Sequence, residues 1–328
     1  MSRCAYCFHD PGPGRAGAEC PNCEKRFPNG WHDAHATCIA LAGGRWTGKS
    51  IYIGVLVAQL REFVRQQHGV LRFGSPESAR LYAEHYERPL FEERGMLRST
   101  PTMKTGSYQR EPLVLRIESP GRPRHHLVIR DTAGEDLETP SPEVDLGYLG
   151  SADAVIFLFD PCHVREVQEK LRLPPVQARQ PHDVLDNVLE LMHSGRPRIA
   201  VALSKFDVLQ RLAEKEVPGW QEIMTTPGAA FQREPEFGRP YDEVDGALLH
   251  EEVRSLLLRF GAHEITNRIA VIEQAKPDWV RYFAVSALGA MPRGLHVNPQ
   301  GIAPFRCMDP VRWACAGSGV LEPTAVPH

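Results

Sequence analysis

The chain has 328 residues, 42% of them hydrophobic and 24% charged, with a formal net charge of −3. Those proportions belong to an ordinary globular protein, and the charge gives no general attraction to nucleic acid or to an anionic membrane. The longest apolar run, residues 51–58 with glycine allowed, is far too short to cross a bilayer. The opening MSRCAYCFHD lacks the apolar core of a secretion signal, so a cytoplasmic location is expected.

Four of the eight cysteines lie in the first 23 residues, as CAYC (Cys4, Cys7) and CPNC (Cys20, Cys23). Two such pairs can close four thiolates tetrahedrally about one Zn²⁺, each pair gripping from a short turn. The intervening FHDPGPGRAGAE is too polar and glycine-rich to build a core, so metal has to supply the folding free energy. Disulfides are the weaker alternative in a chain without a secretion signal. A zinc ribbon is therefore expected over residues 1–36. His32, His35 and Cys38 follow in WHDAHATC, but three ligands fall short of the four that a structural zinc site takes, and they are read as incidental. Cys162, Cys307 and Cys315 are expected to be small buried apolar residues.

Residues 37–328 are expected to form one α/β domain. CIALAG is a short apolar run suited to a buried strand, and SIYIGVLVAQLREFVRQQ carries apolar residues at helical spacing. Between them Gly43, Gly44, Arg45, Trp46, Thr47, Gly48, Lys49 and Ser50 fit the pattern G-x-x-x-x-G-K-[ST]. Glycines let such a loop turn its N–H groups towards a phosphate, the lysine reaches the β- and γ-oxygens, and the serine binds Mg²⁺. The helix N-terminus adds its own positive end.

An insertion at about 70–100 holds SPESARLYAEHYERPLFEERGML, whose Ser-Pro start signals a helix. EPLVLRI is expected as an antiparallel edge strand, and RPRHH (122–126) as a solvated hairpin turn. HHLVIRDTAGED is a strand ending in Asp131, Gly134 and Glu135, where the carboxylate can hold the shell of Mg²⁺ and the glycine can bring an N–H to a γ-phosphate. DAVIFLFDP reads as a fully buried parallel strand. PRIAVALSKFDVL is another, ending in Ser204, Lys205 and Asp207. A second insertion at about 208–262 contains a Pro/Gly-rich loop, in which Trp220 and Phe231 are satellite packing or a partner contact, and then an amphipathic helix DEVDGALLHEEVRSLLLRFGA. VRYFAVSALG is a last strand, ending in Ser286, Ala287 and Leu288.

The order GGRWTGKS, DTAG, SKFD, SAL, each at the end of an apolar strand, resembles the P-loop GTPases of the translation-factor and Ras-like class. With the cysteine knuckles and the C-terminal DPVRWACAGSGVL, the chain is most similar to the bacterial double-GTPase group of GTPase-associated conflict systems. The resemblance implies a three-layer, mostly parallel sandwich binding GTP or GDP with Mg²⁺. Residues 43–49 would hold the phosphates. Ser50 and Asp131 would serve the metal, together with a switch threonine, best placed at Thr102 among Thr100, Thr102 and Thr105. Ser204, Lys205, Asp207, Ser286, Ala287 and Leu288 would surround the base. Guanine also follows from chemistry, because a carboxylate at Asp207 rewards a donor–donor base edge that adenine lacks.

Three departures from the family pattern bear on turnover and affinity. Ser204 stands where asparagine is usual. Arg45 replaces a small residue beside the γ-phosphate, where it supplies charge in cis or obstructs a partner's arginine. Glu135 takes the place of the water-positioning glutamine, so that hydrolysis is slowed unless Arg45 neutralises it. The expected function is a regulatory GTPase switch with a protein effector or partner GTPase, the alternative being a nucleotide-binding scaffold. An ATPase or kinase is disfavoured by Asp207, and a zinc-ribbon nucleic-acid adaptor would need a basic face, which salt-dependent binding to DNA or RNA would reveal.

Overall fold

The computed structural model describes residues 3–12, 17–97, 102, 111–174, 179–192, 197–212, 219–237, 239–318 and 320–321. The run HATCIALA forms β1 (His35–Ala42), buried from Thr37 onward. It pairs in parallel with β4 (His125–Asp131) on one side and with β5 (Ala154–Phe159) on the other. β5, β6 (Arg198–Leu203) and β7 (Val280–Ala284) continue in parallel. These strands are apolar on both faces, as a sheet covered by helices on both sides demands.

The sheet has seven strands in the order β2-β3-β4-β1-β5-β6-β7. β3 (Leu113–Glu118) is antiparallel to β4, as its sequence predicts, but it is not the edge. β2 (Val70–Phe73) lies outside it, antiparallel in turn. Four residues alternating exposed and half-buried carry too little apolar signal to announce that edge strand. RPRHH is the turn between antiparallel β3 and β4 only as far as Arg124. His125 and His126 belong to β4 and are buried, His125 Nε2 lies 2.9 Å from Thr37 Oγ1, and burial pushes the His125 imidazole down to about 4.

The helices are α1 (Lys49–Gln66), α2 (Pro76–Tyr82), α3 (Gly134–Glu138), α4 (Tyr148–Ser151), α5 (Arg165–Leu171) and α6 (Pro181–Leu191). They continue with α7 (Phe206–Gln210), α8 (Trp220–Met224), α9 (Glu243–Arg259), α10 (His263–Ala275) and α11 (Asp309–Ala314). α2 is capped by the Ser75 side chain, which accepts the Ser78 N–H, with Pro76 in the first turn. It runs on into a π-helical segment, Ala83–Glu92.

Successive strand residues face opposite sides of a sheet. On β7, Phe283 meets Trp313 of α11 while the next residue back, Tyr282, meets His250 of α9. The two helices therefore cover opposite faces. α1 lies on the α11 side, through Tyr52 Oη donating to the Cys307 carbonyl at 2.8 Å and Arg312 over the Phe63 ring. The result is the three-layer sandwich. Trp220 stacks on Phe260, and Phe231 meets Phe206 edge-on, so both are internal packing.

Candidate nucleotide site and metal centre

Register decides where the chemistry converges. Leu41 of β1 is level with Asp131 of β4, Ala42 with Phe157 of β5, and Phe159 with Leu203, which is itself level with Ala284. The phosphate loop, Asp131, Asp160, Ser204 to Asp207 and Ser286 therefore leave the sheet along one carboxyl edge. That is where open α/β sheets bind ligands.

Three residues of the loop take left-handed or glycine-only backbone: Gly43 at φ 138°, Trp46 at 59° and Gly48 at 89°. A Cβ on Gly43 would sit 2.5 Å from the Leu158 carbonyl oxygen, so β5 itself excludes any side chain there. Gly48 caps α1 without a side-chain hydrogen bond, and the first turn holds no acidic residue. Those N–H groups and the helix dipole therefore meet no protein anion from α1 itself. Trp46 is 56% exposed on the loop, unlike Trp31, Trp220 and Trp313, which are buried.

Lys49 is buried and donates to the carbonyls of Gly43 and Gly44, both at 2.8 Å. Burial lowers its ammonium to about 8, against the opposing fields of Asp131 and Glu138. Ser50 Oγ donates to Asp131 Oδ2 at 2.8 Å, and Tyr86 Oη reaches the same oxygen at 3.5 Å. Asp131 Oδ1 is buried and has no hydrogen-bond partner among the described residues. A buried carboxylate oxygen without a partner, beside a serine hydroxyl, fits a hard cation such as Mg²⁺. Burial raises the Asp131 carboxyl, the opposite of what a bound cation would do.

The D-T-A-G turn lies directly on the loop. A Cβ at Gly134 would come 2.6 Å from the Gly44 carbonyl carbon and clash with Arg45 N. Arg45 Nη1 is 3.3 Å from Glu135 Oε1, the pairing the sequence had left open. Glu138, which sequence reasoning missed, accepts the Arg45 N–H at 2.8 Å. Its other oxygen lies 3.1 Å from Arg45 Nε, as an ion pair off the line of a hydrogen bond. Thr102 is half-buried, and Thr100 and Thr105 lie outside the described residues.

At the far end of the edge, Asp207 Oδ1 accepts from Ser286 Oγ at 2.6 Å, and Ser286 Oγ accepts the Gly289 N–H at 2.9 Å. Burial raises the Asp207 carboxyl. Ser204 Oγ donates to the Phe159 carbonyl at 3.1 Å, tying the ends of β5 and β6. Lys205, at φ 51°, is held by Asp160 at 2.6 Å. Asp160 was visible at the end of DAVIFLFDP but had no assigned role. Ala287 is half-buried, and the Leu288 carbonyl accepts the Ala303 N–H at 3.0 Å. Phe305 pairs with Ser286 through both backbone hydrogen bonds and stacks on Phe206, so the C-terminal segment braces this loop.

The ribbon has the geometry its spacing predicts. The four Sγ atoms of Cys4, Cys7, Cys20 and Cys23 lie within 4.8 Å of one another. Cys4–Cys23 and Cys7–Cys20 are each 3.7 Å. A zinc–sulfur bond of about 2.3 Å gives a tetrahedral edge of about 3.8 Å, so the donors fit Zn²⁺. The two knuckles repeat each other. Tyr6 N–H and Asn22 N–H point to the first sulfur of each pair, at 3.3 and 3.4 Å. Phe8 and Glu24, each one past the second cysteine, are both left-handed. The hydrogen bond between Cys4 and Cys7 lowers Cys7 to about 4 and, with burial, raises Cys4, while burial raises Cys23 to about 11, so these thiols do not all ionise together without a cation. Among the described residues this is the one such cluster, and His32 contacts the Gly17 carbonyl instead.

A glycine-rich loop joining β1 to α1, with a carboxylate on the adjacent parallel strand, defines the P-loop NTPase class. A family model for Double-GTPase 2 matches residues 37–257. The chain belongs to the Double-GTPase 2 family. It is 45% identical over 309 residues, 92% of this chain and 80% of the relative, to the putative ESX-1 scaffolding and assembly protein SaeC of Mycolicibacterium smegmatis. Among solved structures it resembles the S. cerevisiae Ski7 GTPase-like domain bound to GTP, at 12% identity and a TM-score of 0.31. The match covers 78% of this chain but under half, 43%, of that one. No helix among the described residues is long and apolar enough to cross a membrane.

Two outcomes follow. Cys20→Ser should abolish zinc retention, measured by elemental analysis, and lower the thermal midpoint, because Trp31 and Phe8 lose their support. Nucleotide affinity should also fall as pH rises through about 8, since free Lys49 is then neutral while phosphate needs its ammonium. The loss should approach about tenfold per pH unit above that point. Calorimetry at pH 7 and 9 checks this, and a flat profile without proton uptake excludes it.

Proposed function

We propose that the protein is a GTP-binding, Mg²⁺-dependent switch of slow turnover that reports its nucleotide state to a protein partner in the cytoplasm. The observation that carries this reading is the meeting of the phosphate loop, Asp131 and the Asp207–Ser286 pair along one sheet edge. Lys49 would exchange the Gly43 and Gly44 carbonyls for β- and γ-oxygens. Mg²⁺, when bound, supplies charge neutralisation between those phosphates. Ser50 and Asp131 would hold it, with Thr102 as the proposed switch threonine. The Gly134 N–H would face the γ-phosphate. Asp207 would accept the two donors of the guanine edge, Lys205 would lie along the base, and the backbone of Ser286, Ala287 and Leu288 would approach its O6.

Phosphoryl transfer asks for positioning and charge more than for covalent chemistry. The Arg45 contact offsets the charge of Glu135, so slow turnover rests here on position instead: Glu135 held by Arg45 is poorly disposed to orient water, and the pair fills the approach a partner's arginine would use. That contact favours a second reading, a nucleotide-binding scaffold with negligible hydrolysis. The name of the M. smegmatis relative supports protein partners and a role in assembly. A place in a GTPase-associated conflict system is the biological setting that the family resemblance suggests.

Asp207→Asn should move preference from GTP towards XTP by roughly a hundredfold or more, read by competition binding that includes ATP. An unchanged ratio removes Asp207 from base reading. Glu135→Gln should raise single-turnover hydrolysis by roughly threefold to tenfold, about what one kcal/mol or so of barrier gives. A steep fall would instead make Glu135 the water-positioning group. No turnover in either protein, with tight binding in both, selects the scaffold.

A further inference from the structure

The Glu138 side chain is only 7% exposed, yet it carries a charge beside a loop shaped to receive phosphates. Among the described residues its partners all come from Arg45, through the peptide N–H at 2.8 Å and the guanidinium Nε at 3.1 Å. Glu135, one turn earlier on α3, takes the far side of the same guanidinium at 3.3 Å. Arg45 thus bridges two carboxylates spaced three residues apart on one helical turn. α3 cannot easily swing elsewhere while this holds, because Gly134 lies against Gly44 and Arg45, and Asn187 Nδ2 of α6 donates to the Leu137 carbonyl at 2.8 Å. The field of Glu138 extends to Lys49, whose ammonium it favours together with Asp131.

We infer that Glu138 is a specificity-determining residue of this site: with Arg45 it forms a charge latch that holds α3 on the phosphate loop and favours nucleoside diphosphate over triphosphate. The inference rests on the guanine-nucleotide reading given above. A diphosphate ends short of the Arg45 corner and leaves the latch closed. A γ-phosphate brings negative charge towards two carboxylates and competes with them for one guanidinium. A buried carboxylate that loses its cation is costly, so the triphosphate has to displace α3 as a unit. The latch therefore couples phosphate count to the position of the D-T-A-G helix, which is how a nucleotide state becomes visible to a partner.

The exposed Trp46 indole provides a fluorescence readout for both nucleotides. Glu138→Gln keeps an acceptor for the Arg45 N–H and removes the charge. It should raise affinity for a non-hydrolysable GTP analogue relative to GDP by about five- to tenfold, the lower range of site–site couplings. Arg45→Ala also opens the latch, so α3 should lose its protection with GDP bound, but it leaves both carboxylates unneutralised, so the ratio should move against the analogue; Arg45→Lys should restore part of both. A purely structural role would weaken both nucleotides alike. In the wild-type chain, amide exchange across residues 135–139 should be slow with GDP and faster with the GTP analogue, which tests the latch even if a variant folds poorly. Wild-type protein that binds both nucleotides, with an unchanged GDP-to-analogue ratio in the variants or equal protection of α3, overturns the latch alone. Wild-type protein that binds neither guanine nucleotide overturns the nucleotide reading and the latch with it.

Discussion

The parallel pairing of β1 between β4 and β5 is the constraint on which the site depends. It fixes Gly43 against the Leu158 carbonyl so closely that only glycine fits, and the loop then has one way to leave the strand. The same register sets Asp131 level with Leu41, so the carboxylate arrives beside Ser50 without any specific contact having to draw it there. A slip of one residue would turn every side chain of β1 to the opposite face. Because both faces of these strands are packed, such a slip would misfit side chains on each of them, so the geometry of the site is paid for by the core.

Among the described residues the charged groups around the phosphate loop are partnered within the protein, with two buried atoms left without a hydrogen bond, Arg45 Nε and Asp131 Oδ1. Lys49 holds carbonyls, Arg45 holds carboxylates, Ser50 holds Asp131, and Lys205 holds Asp160. A ligand therefore gains only the difference between its own contacts and those it replaces, and a net hydrogen bond is worth about 1 kcal/mol. Arg45 Nε at least has the ion pair with Glu138, whereas Asp131 Oδ1 is buried and unmatched among the described residues. Having no ion pair either, it marks a place where binding removes a standing penalty rather than exchanging one satisfied state for another.

Much of this was legible in the sequence because strands buried on both faces are continuous apolar runs, and their ends are where polar residues reappear. The spacing of Cys4, Cys7, Cys20 and Cys23 foretold their cluster for a related reason, since short knuckles leave few other arrangements. β2 was hidden because an edge strand of four residues has no full apolar face. His125 and His126 looked like a polar turn because two imidazoles buried without charge cannot be told from two solvated ones by composition. Glu138 escaped notice because its significance lies in a contact with Arg45 across 93 residues of chain. No local pattern records such a contact.

The ribbon's place in the molecule follows from β4 as well. Arg130, immediately before Asp131, donates to the Tyr6 carbonyl at 2.5 Å and lies 3.7 Å over the Tyr148 ring. Phe8 meets that ring edge-on, and Tyr148 Oη lies 2.7 Å from Thr132 Oγ1, the second residue of the D-T-A-G turn. Trp31 stacks on His126 and donates to the Arg3 carbonyl, while Arg3 pairs with Asp153 at the start of β5. The knuckles thus form the floor beneath the strand end that carries Asp131, and their apolar residues are continuous with the main core. A segment this small cannot supply that floor from its own hydrophobic content, so a metal that closes four thiolates into one point would also stiffen the strand end beneath α3. The tension in the design lies between this rigid floor and α3 above it, where an ion-pair network adds to the packing of Gly134 and the Asn187 hydrogen bond, so that a change of charge acts on part of what holds it.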